Sequence, residues 1–306
     1  MPDPIRYRSP DEDSARWDAF TLRPGDVVIS TRSKSGTTWM QRIVSLLLLD
    51  EVEPYAPLSE ISPWIDWNVE PIEDVVARLD AQPHRRFVKT HTPLDGVPIV
   101  DGVTYVVVAR HPLDMAVSLF HQGANIDRVR LRALAGEPGP VPDGDAPRPR
   151  PDLHAWLLRW IASDASPTES MDGLRGVLHH VEDAWGRSEG GAAGPGEEGD
   201  VLLVHYADLR ADLEQQMRRI ARRLAVEVHE HRWPDLVAAA SLAAMRKQAS
   251  TVVPDRLGVL RDHAAFFRRG SSGAGAEALS PDELAAYSVR VAALLPPEID
   301  AWLHRG

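Results

Sequence analysis

The chain has 306 residues, 43% hydrophobic and 26% charged, the balance of an ordinary globular protein long enough to bury a sizeable core. Its 34 Lys and Arg against 45 Asp and Glu give a formal net charge of −11, which argues against a general nucleic-acid binder, so any anion must be held by a local basic site. No cysteine is present, which excludes a disulfide framework and a thiolate zinc site.

The start, Met-Pro-Asp-Pro-Ile-Arg, has no apolar signal core, and the longest apolar run, 43–49, is broken by Ser45 and far too short to span a bilayer. The expectation is a cytoplasmic protein with neither a membrane nor a nucleic-acid partner. Residues 1–22 read as a polar lead-in with Trp17 and Phe20 as docking side chains. The β-branched residues Val27, Val28 and Ile29 read as a short buried strand. A polar loop at 31–35 follows, then a helix whose apolar face carries Trp39, Met40, Ile43, Val44, Leu46 and Leu47. Residues 50–70 are irregular and rich in proline and aromatic side chains, and a short helix covers 72–80.

The run 86–91 reads as a strand ended by Thr92-Pro93, and 103–109 as a near-continuous apolar strand of the kind found inside a parallel sheet. Pro112 suits a first helical position, and that helix extends to about residue 122. The tracts 136–151 and 189–199 are dense in Gly or Pro and read as flexible loops. Helices are expected at 152–163, 172–187 and 210–224, with a strand at 201–205. The remainder, including 236–245, 281–295 and a turn near Trp302, reads as mostly helical. No internal repeat is visible. Strands alternating with helices predict one α/β domain over 1–306, with a central, mainly parallel sheet flanked by helices.

The first strand, loop and helix make a P-loop-like anion site. Backbone N–H groups and the positive end of the helix face whatever the loop holds. Lys34 adds a charge, and Thr37 and Thr38 add hydroxyl donors. A triphosphate loop needs Gly, four residues, then Gly-Lys-Ser/Thr, whereas Lys34 precedes Gly36. On these residues alone, a surface lysine on a strand–turn–helix stays open. In Arg86-Phe-Val-Lys-Thr-His91, alternation puts Phe87, Lys89 and His91 on one face. A lysine beside a histidine can serve an anion and a proton transfer together; a hydrogen-bonded histidine at a strand end is the plainer alternative. Arg110 ends the next strand, with Ser118 eight residues on. Its planar fork suits phosphate, while an ion pair with Asp114 is the other reading. Asp114 itself would orient or cap, since a carboxylate repels phosphate. His229-Glu-His231 and His179-His180 lack the spacing of a zinc pair and read as surface histidines, so no metal is expected.

Together these stretches resemble the cytosolic-type sulfotransferase family. Lys34-Ser-Gly-Thr-Thr-Trp39 reproduces the family's 5′-phosphosulfate loop, Lys89-Thr-His-Thr-Pro93 is similar to its Lys-Thr-His segment, and Arg110 and Ser118 stand at its 3′-phosphate positions. The resemblance implies 3′-phosphoadenosine 5′-phosphosulfate (PAPS) as donor and a small-molecule hydroxyl or amine as acceptor. It makes His91 the general base, with Lys34 and Lys89 stabilising developing charge. It assigns Ser35, Gly36, Thr37 and Thr38 to the 5′-phosphate, and Trp39 and Tyr206 to the adenine. Met245 ends a segment, Ser241-Leu-Ala-Ala-Met245, that follows the family's Ser-Phe-x-x-Met with the aromatic lost.

Phe267, Arg268, Arg269 and Gly270 resemble the family loop that closes over the 3′-phosphate. The Asp-Trp that follows its second glycine is here Ala274-Gly275. Arg32-Ser33 replaces the family's Tyr-Pro, and the dimer motif is not recognisable, which leaves a homodimer open. A P-loop-like kinase acting on a nucleotide or small molecule is the alternative, without its Gly-Lys-Ser/Thr loop. A non-catalytic nucleotide-binding module is a third reading, disfavoured by the pairing of Lys89 with His91. Acceptor walls are expected from 59–70, 119–151 and part of 240–265, where Trp64, Trp67, Phe120 and His121 suggest an aromatic lining or, equally, core.

Overall fold

The computed structural model describes residues 4–53, 56–134, 136, 152–188, 200–253, 255–267, 270 and 272–305. Strands β1 (Val27–Thr31), β2 (Phe87–Thr90), β3 (Thr104–Ala109) and β4 (Val201–His205) pair in parallel as one four-stranded sheet, ordered β2-β1-β3-β4. Every residue of the four strands is buried, which explains the apolar runs at 27–29, 105–109 and 201–204. Alternate side chains feed two cores. Val28, Val88, Val107 and Leu203 join one, and Ile29, Phe87, Val106 and Leu202 the other.

The helices are α1 (Thr37–Leu49), α2 (Leu58–Ile61), α3 (Ile72–Asp80), α4 (Pro112–Asn125), α5 (Arg128–Leu134), α6 (Leu153–Ala162) and α7 (Leu174–Arg187). After β4 come α8 (Tyr206–Ala211), α9 (Leu213–Arg223), α10 (Trp233–Ala240), α11 (Leu242–Lys247), α12 (Ala249–Val252), α13 (His263–Phe266), α14 (Pro281–Ala292) and α15 (Pro297–Leu303). One sheet face is covered by α1, α9 and α10 through Met40, Ile43, Met217, Ile220 and Leu236. The other is covered by α4, α6, α7 and α15 through Met115, Leu157, Val177 and Leu303. Each such fully buried aliphatic side chain contributes roughly 1.5–3 kcal/mol. No helix among the described residues is long and apolar enough to cross a membrane.

Three details differ from expectation. The helix expected at 210–224 is two, broken at Asp212, whose carboxylate accepts the Gln215 N–H at 2.9 Å and caps α9. The stretch 236–245 is likewise broken at Ser241, whose hydroxyl accepts the Ala244 N–H at 3.2 Å. His179 and His180 are not surface residues. His180 is buried with Nε2 3.1 Å from Ser30 Oγ, and half-buried His179 has Nε2 2.8 Å from Asp95. Both lie on α7, whose buried face packs on the sheet. The expected loops at 137–151 and 189–199 lie outside the described residues.

The lead-in is part of the structure. A short 3-10 turn, Ser14–Ala19, buries Trp17, and Tyr7 is buried with its hydroxyl 2.9 Å from Asp95 and 3.0 Å from His179. Arg16 donates to the carbonyls of Ile65 and Glu70, each at 2.7 Å, so the segment is stitched to residues 65–70.

Candidate active site

Strand register decides where the site forms. Ser30 pairs with Thr90, Thr31 with Val108 and Ala109 with His205, so the strands end together at one edge of the sheet. The residues just beyond the strand ends converge there: the loop from Arg32, then His91, Arg110 and Tyr206. The chain leaves β1 for β2 on one side and then crosses to β3 on the other, and ligands of open α/β sheets bind at such a switch point. A cavity of about 480 Å³ opens at this place.

The loop after β1 is built for an anion. Gly36 caps α1 in a left-handed conformation (φ 116°) without a side-chain cap, leaving the first backbone donors of the helix to a ligand. A Cβ there would also crowd Tyr206 Cδ2 at 3.1 Å, so the backbone conformation and the packing both favour glycine. Lys34 also has positive φ (65°), a strained state of the kind functional loops hold. The Thr31 and Thr37 hydroxyls hydrogen-bond across the base of the loop.

The Lys34 ammonium lies 3.3 Å from Gln122 Oε1 on α4 and 3.9 Å from the centroid of Phe266. Arg110 packs its guanidinium 4.6 Å over the Tyr206 ring and donates to the Lys34 carbonyl at 3.2 Å. Trp39 meets Tyr206 edge-on at 5.3 Å and donates Nε1–H to the Ala240 carbonyl at 2.8 Å.

Beyond β2, His91 is buried at the strand end. Its Nδ1 lies 2.5 Å from the Thr31 carbonyl, which can only accept, so the proton sits on Nδ1 and Nε2 keeps its lone pair. Burial, with the charges of Lys89 and Arg32, holds the imidazole well below its usual pKa. It is therefore neutral at physiological pH. Burial also pushes the Lys89 ammonium down to about 8. That ammonium rests 3.6 Å over the ring of Trp64, which in turn meets His91 edge-on at 4.7 Å. Asp66 Oδ2 accepts from Thr90 Oγ1 (2.9 Å), the N–H groups of His91 (3.1 Å) and Thr92 (3.2 Å), and Thr92 Oγ1 (2.8 Å), fixing the turn that carries the imidazole. Arg32 donates to the His91 carbonyl and is held from behind by Asp172 at 2.7 Å.

The residues singled out from the sequence divide accordingly. Lys34, Gly36, Thr37 and Thr38 line the cavity from the loop, with Trp39, Lys89, His91, Arg110, Ser118 and Tyr206 around them. Phe267 and Gly270 line it from the C-terminal side, while Arg268 and Arg269 lie outside the described residues. Ser35 is buried within the loop, and Met245 belongs to the apolar core, so neither is on the cavity wall. Trp64 and Trp67 line the cavity, stacked at 5.5 Å with planes 4° apart. Phe120 instead turns toward Trp156 (5.5 Å) and meets His121 edge-on.

Asp114 accepts the N–H groups of Gly273 and Gly275, each at 2.9 Å, and so anchors the segment that follows Gly270. Gly275 fits there because any Cβ would lie 2.3 Å from Leu113 Cβ. Sequence reasoning missed Glu12, Arg32, Asp66 and Asp172 as parts of the site. Arg32 carried one signal, its departure from Tyr-Pro. The others carried none, because nothing local says which carboxylate is folded into the site.

A model described as the sulfotransferase domain matches residues 24–289, and the chain belongs to the sulfotransferase family. It is 40% identical to a glycolipid sulfotransferase of Mycobacterium bovis over 321 aligned positions, covering 100% of this chain and 96% of the relative. It is 24% identical to sulfotransferase 1A1 of Bos taurus, covering 84% and 78% of the two chains. The fold is similar to that of a mouse sulfotransferase, SULT7A1, solved with PAP, with a TM-score of 0.64 at 18% identity and coverage of 94% and 91%.

Proposed function

We propose that the protein transfers a sulfuryl group from PAPS to a hydroxyl of a small-molecule acceptor, with His91 as general base. The observation that carries this reading is one cavity holding both an anion loop at the start of α1 and a neutral histidine whose Nε2 is the free nitrogen. The residues fit the donor: backbone N–H groups of the loop, Thr37 and Thr38 for the 5′-phosphate, Arg110 and Ser118 for the 3′-phosphate, and Trp39 with Tyr206 for the base. Arg268 and Arg269 would complete the 3′-phosphate contacts. Lys34 and Lys89 supply cationic charge, as two anionic groups near the reacting centre require.

In the reaction His91 Nε2 takes the proton of the acceptor hydroxyl as its oxygen forms the new bond to sulfur. The bond from sulfur to the bridging oxygen of the 5′-phosphate breaks, and the lysines and loop donors hold the charge released on that oxygen. Fixing the two substrates in line supplies much of the acceleration. The full-length likeness to a mycobacterial glycolipid sulfotransferase supports a glycolipid, and so a sugar hydroxyl, as acceptor.

Calorimetric titration with adenosine 3′,5′-bisphosphate and with ATP tests the donor. Tight bisphosphate binding is expected, and ATP binding without it would replace this reading by a kinase. His91→Ala is expected to keep bisphosphate affinity and lose transfer by a factor of about 10²–10⁴. Unchanged turnover would remove His91 as the base.

A further inference from the structure

The lead-in brings one carboxyl into the cavity that the transfer step does not use. Glu12 is only 7% exposed and lines the cavity with Trp64, Trp67, Lys89 and His91. Its backbone pairs with that of Trp67, and flanking bonds from Asp13 N–H to the Asp66 carbonyl (2.8 Å) and from Asn68 N–H to the Asp11 carbonyl (3.0 Å) fix it there. Among the described residues its hydrogen bonds run through the backbone, to Ser9, and none reaches the carboxyl oxygens. Burial pushes this carboxyl up to about 8 despite Arg32 nearby.

This carboxyl makes no hydrogen bond among the described residues and stands on the cavity wall, so a group on a ligand can meet it. The donor's phosphates are assigned to the α1 loop, Arg110 and Ser118, whereas Glu12 is paired to Trp67, which stacks on Trp64 beside His91. The acceptor remains. Trp64 touches His91, Trp67 stacks on Trp64, and Glu12 is paired to Trp67, so the carboxyl stands along an aromatic wall that leads away from the base. One hydroxyl at His91, a second at Glu12, and carbon-bound hydrogens against indole describe a polyhydroxylated ring.

We infer that Glu12 is a specificity-determining residue. It hydrogen-bonds a non-reacting hydroxyl of a carbohydrate-like acceptor that packs along Trp64 and Trp67. The inference rests on the sulfotransferase reading and assigns the acceptor half of that same cavity.

The test uses PAPS with two acceptors, octyl β-D-glucopyranoside and cyclohexylmethanol, on the wild type, Glu12→Leu and Glu12→Gln. Leucine keeps the volume and removes the hydrogen-bonding group; glutamine keeps both a donor and an acceptor. Glu12→Leu is expected to raise the KM for the glucoside about tenfold with little change in kcat, and Glu12→Gln to restore it, while cyclohexylmethanol shows no such dependence. Glu12→Ala replaces the leucine variant if that protein does not fold. Equal changes with both acceptors, no change with the glucoside, or no transfer to the glucoside by an enzyme that binds the bisphosphate would each overturn the inference. Failure of the wild type to bind adenosine 3′,5′-bisphosphate, titrated alongside, would instead overturn the sulfotransferase reading beneath it.

Discussion

Replacing Lys89 by methionine separates what this lysine does for the fold from what it does for the reaction. Its ammonium is buried, and the fall from the ordinary lysine value of 10.5 to about 8 corresponds to about 3 kcal/mol of cost for keeping the charge inside. Against this, the contact 3.6 Å over the Trp64 ring contributes about 1–2 kcal/mol when desolvated. Lys89→Met, which keeps the stem and loses both, should therefore be more stable than wild type by about 1–2 kcal/mol at pH 7, or about 2–4 °C in Tm.

The gain depends on pH. The folded lysine releases its proton near pH 8 and the unfolded one near 10.5, so between those values the unfolded chain holds the extra proton. Wild-type stability accordingly rises across that window by about 3 kcal/mol, more than the advantage of methionine at pH 7, so that advantage is lost before the upper end is reached. Urea unfolding followed by circular dichroism at pH 7 and pH 10 reads both numbers. Transfer should fall by about 10²–10³ in kcat. A variant less stable than wild type at pH 7, or one whose gain is the same at both pH values, would refute the reasoning.

The same cavity yields two more expected outcomes. Because His91 is already neutral, kcat/KM should show no acid limb near pH 6.5 but a fall above about pH 8 as Lys89 loses its proton. Lys89→Arg should move that fall upward, and the Glu12→Gln profile separates it from the Glu12 carboxyl, which titrates in the same window. A limb at pH 6.5 that His91→Ala abolishes would show that the imidazole is not held neutral. Gly275→Ala puts a methyl 2.7 Å from the Leu113 carbonyl carbon and should lift the segment off Asp114, weakening bisphosphate binding about tenfold by calorimetry. Unchanged affinity would mean that the anchored segment takes no part in the donor site.

How far the sequence reveals this protein depends on whether the parts of the site are neighbours along the chain. Residues 34–39 are legible because loop, cap and helix start are contiguous, and the local chemistry of an anion cradle is complete there. The four-stranded sheet is legible because strands buried on both faces carry apolar runs, here 27–29, 105–109 and 201–204. The breaks at Asp212 and Ser241 are written in N-cap residues that an apolar period of 3.6 carries straight through. Glu12, Asp66 and Asp172 are a different matter. They come from separate segments that only tertiary pairing, such as that between residues 11–13 and 66–68, brings to Lys89 and Arg32. His180 is illegible for the same reason: the hydroxyl that receives it, on Ser30, is 150 positions away.

The bond from His91 Nδ1–H to the Thr31 carbonyl, and the return bond from Arg32 to the His91 carbonyl, tie the anion loop and the imidazole into one rigid piece. A lesion on either side is then felt on the other, because the loop cannot shift without turning the imidazole. Substitutions scanned across this edge of the sheet will not sort into donor and acceptor classes. A change at residue 31 or 32, seemingly remote from the acceptor, will be read in the proton-transfer step as well as in the affinity for nucleotide.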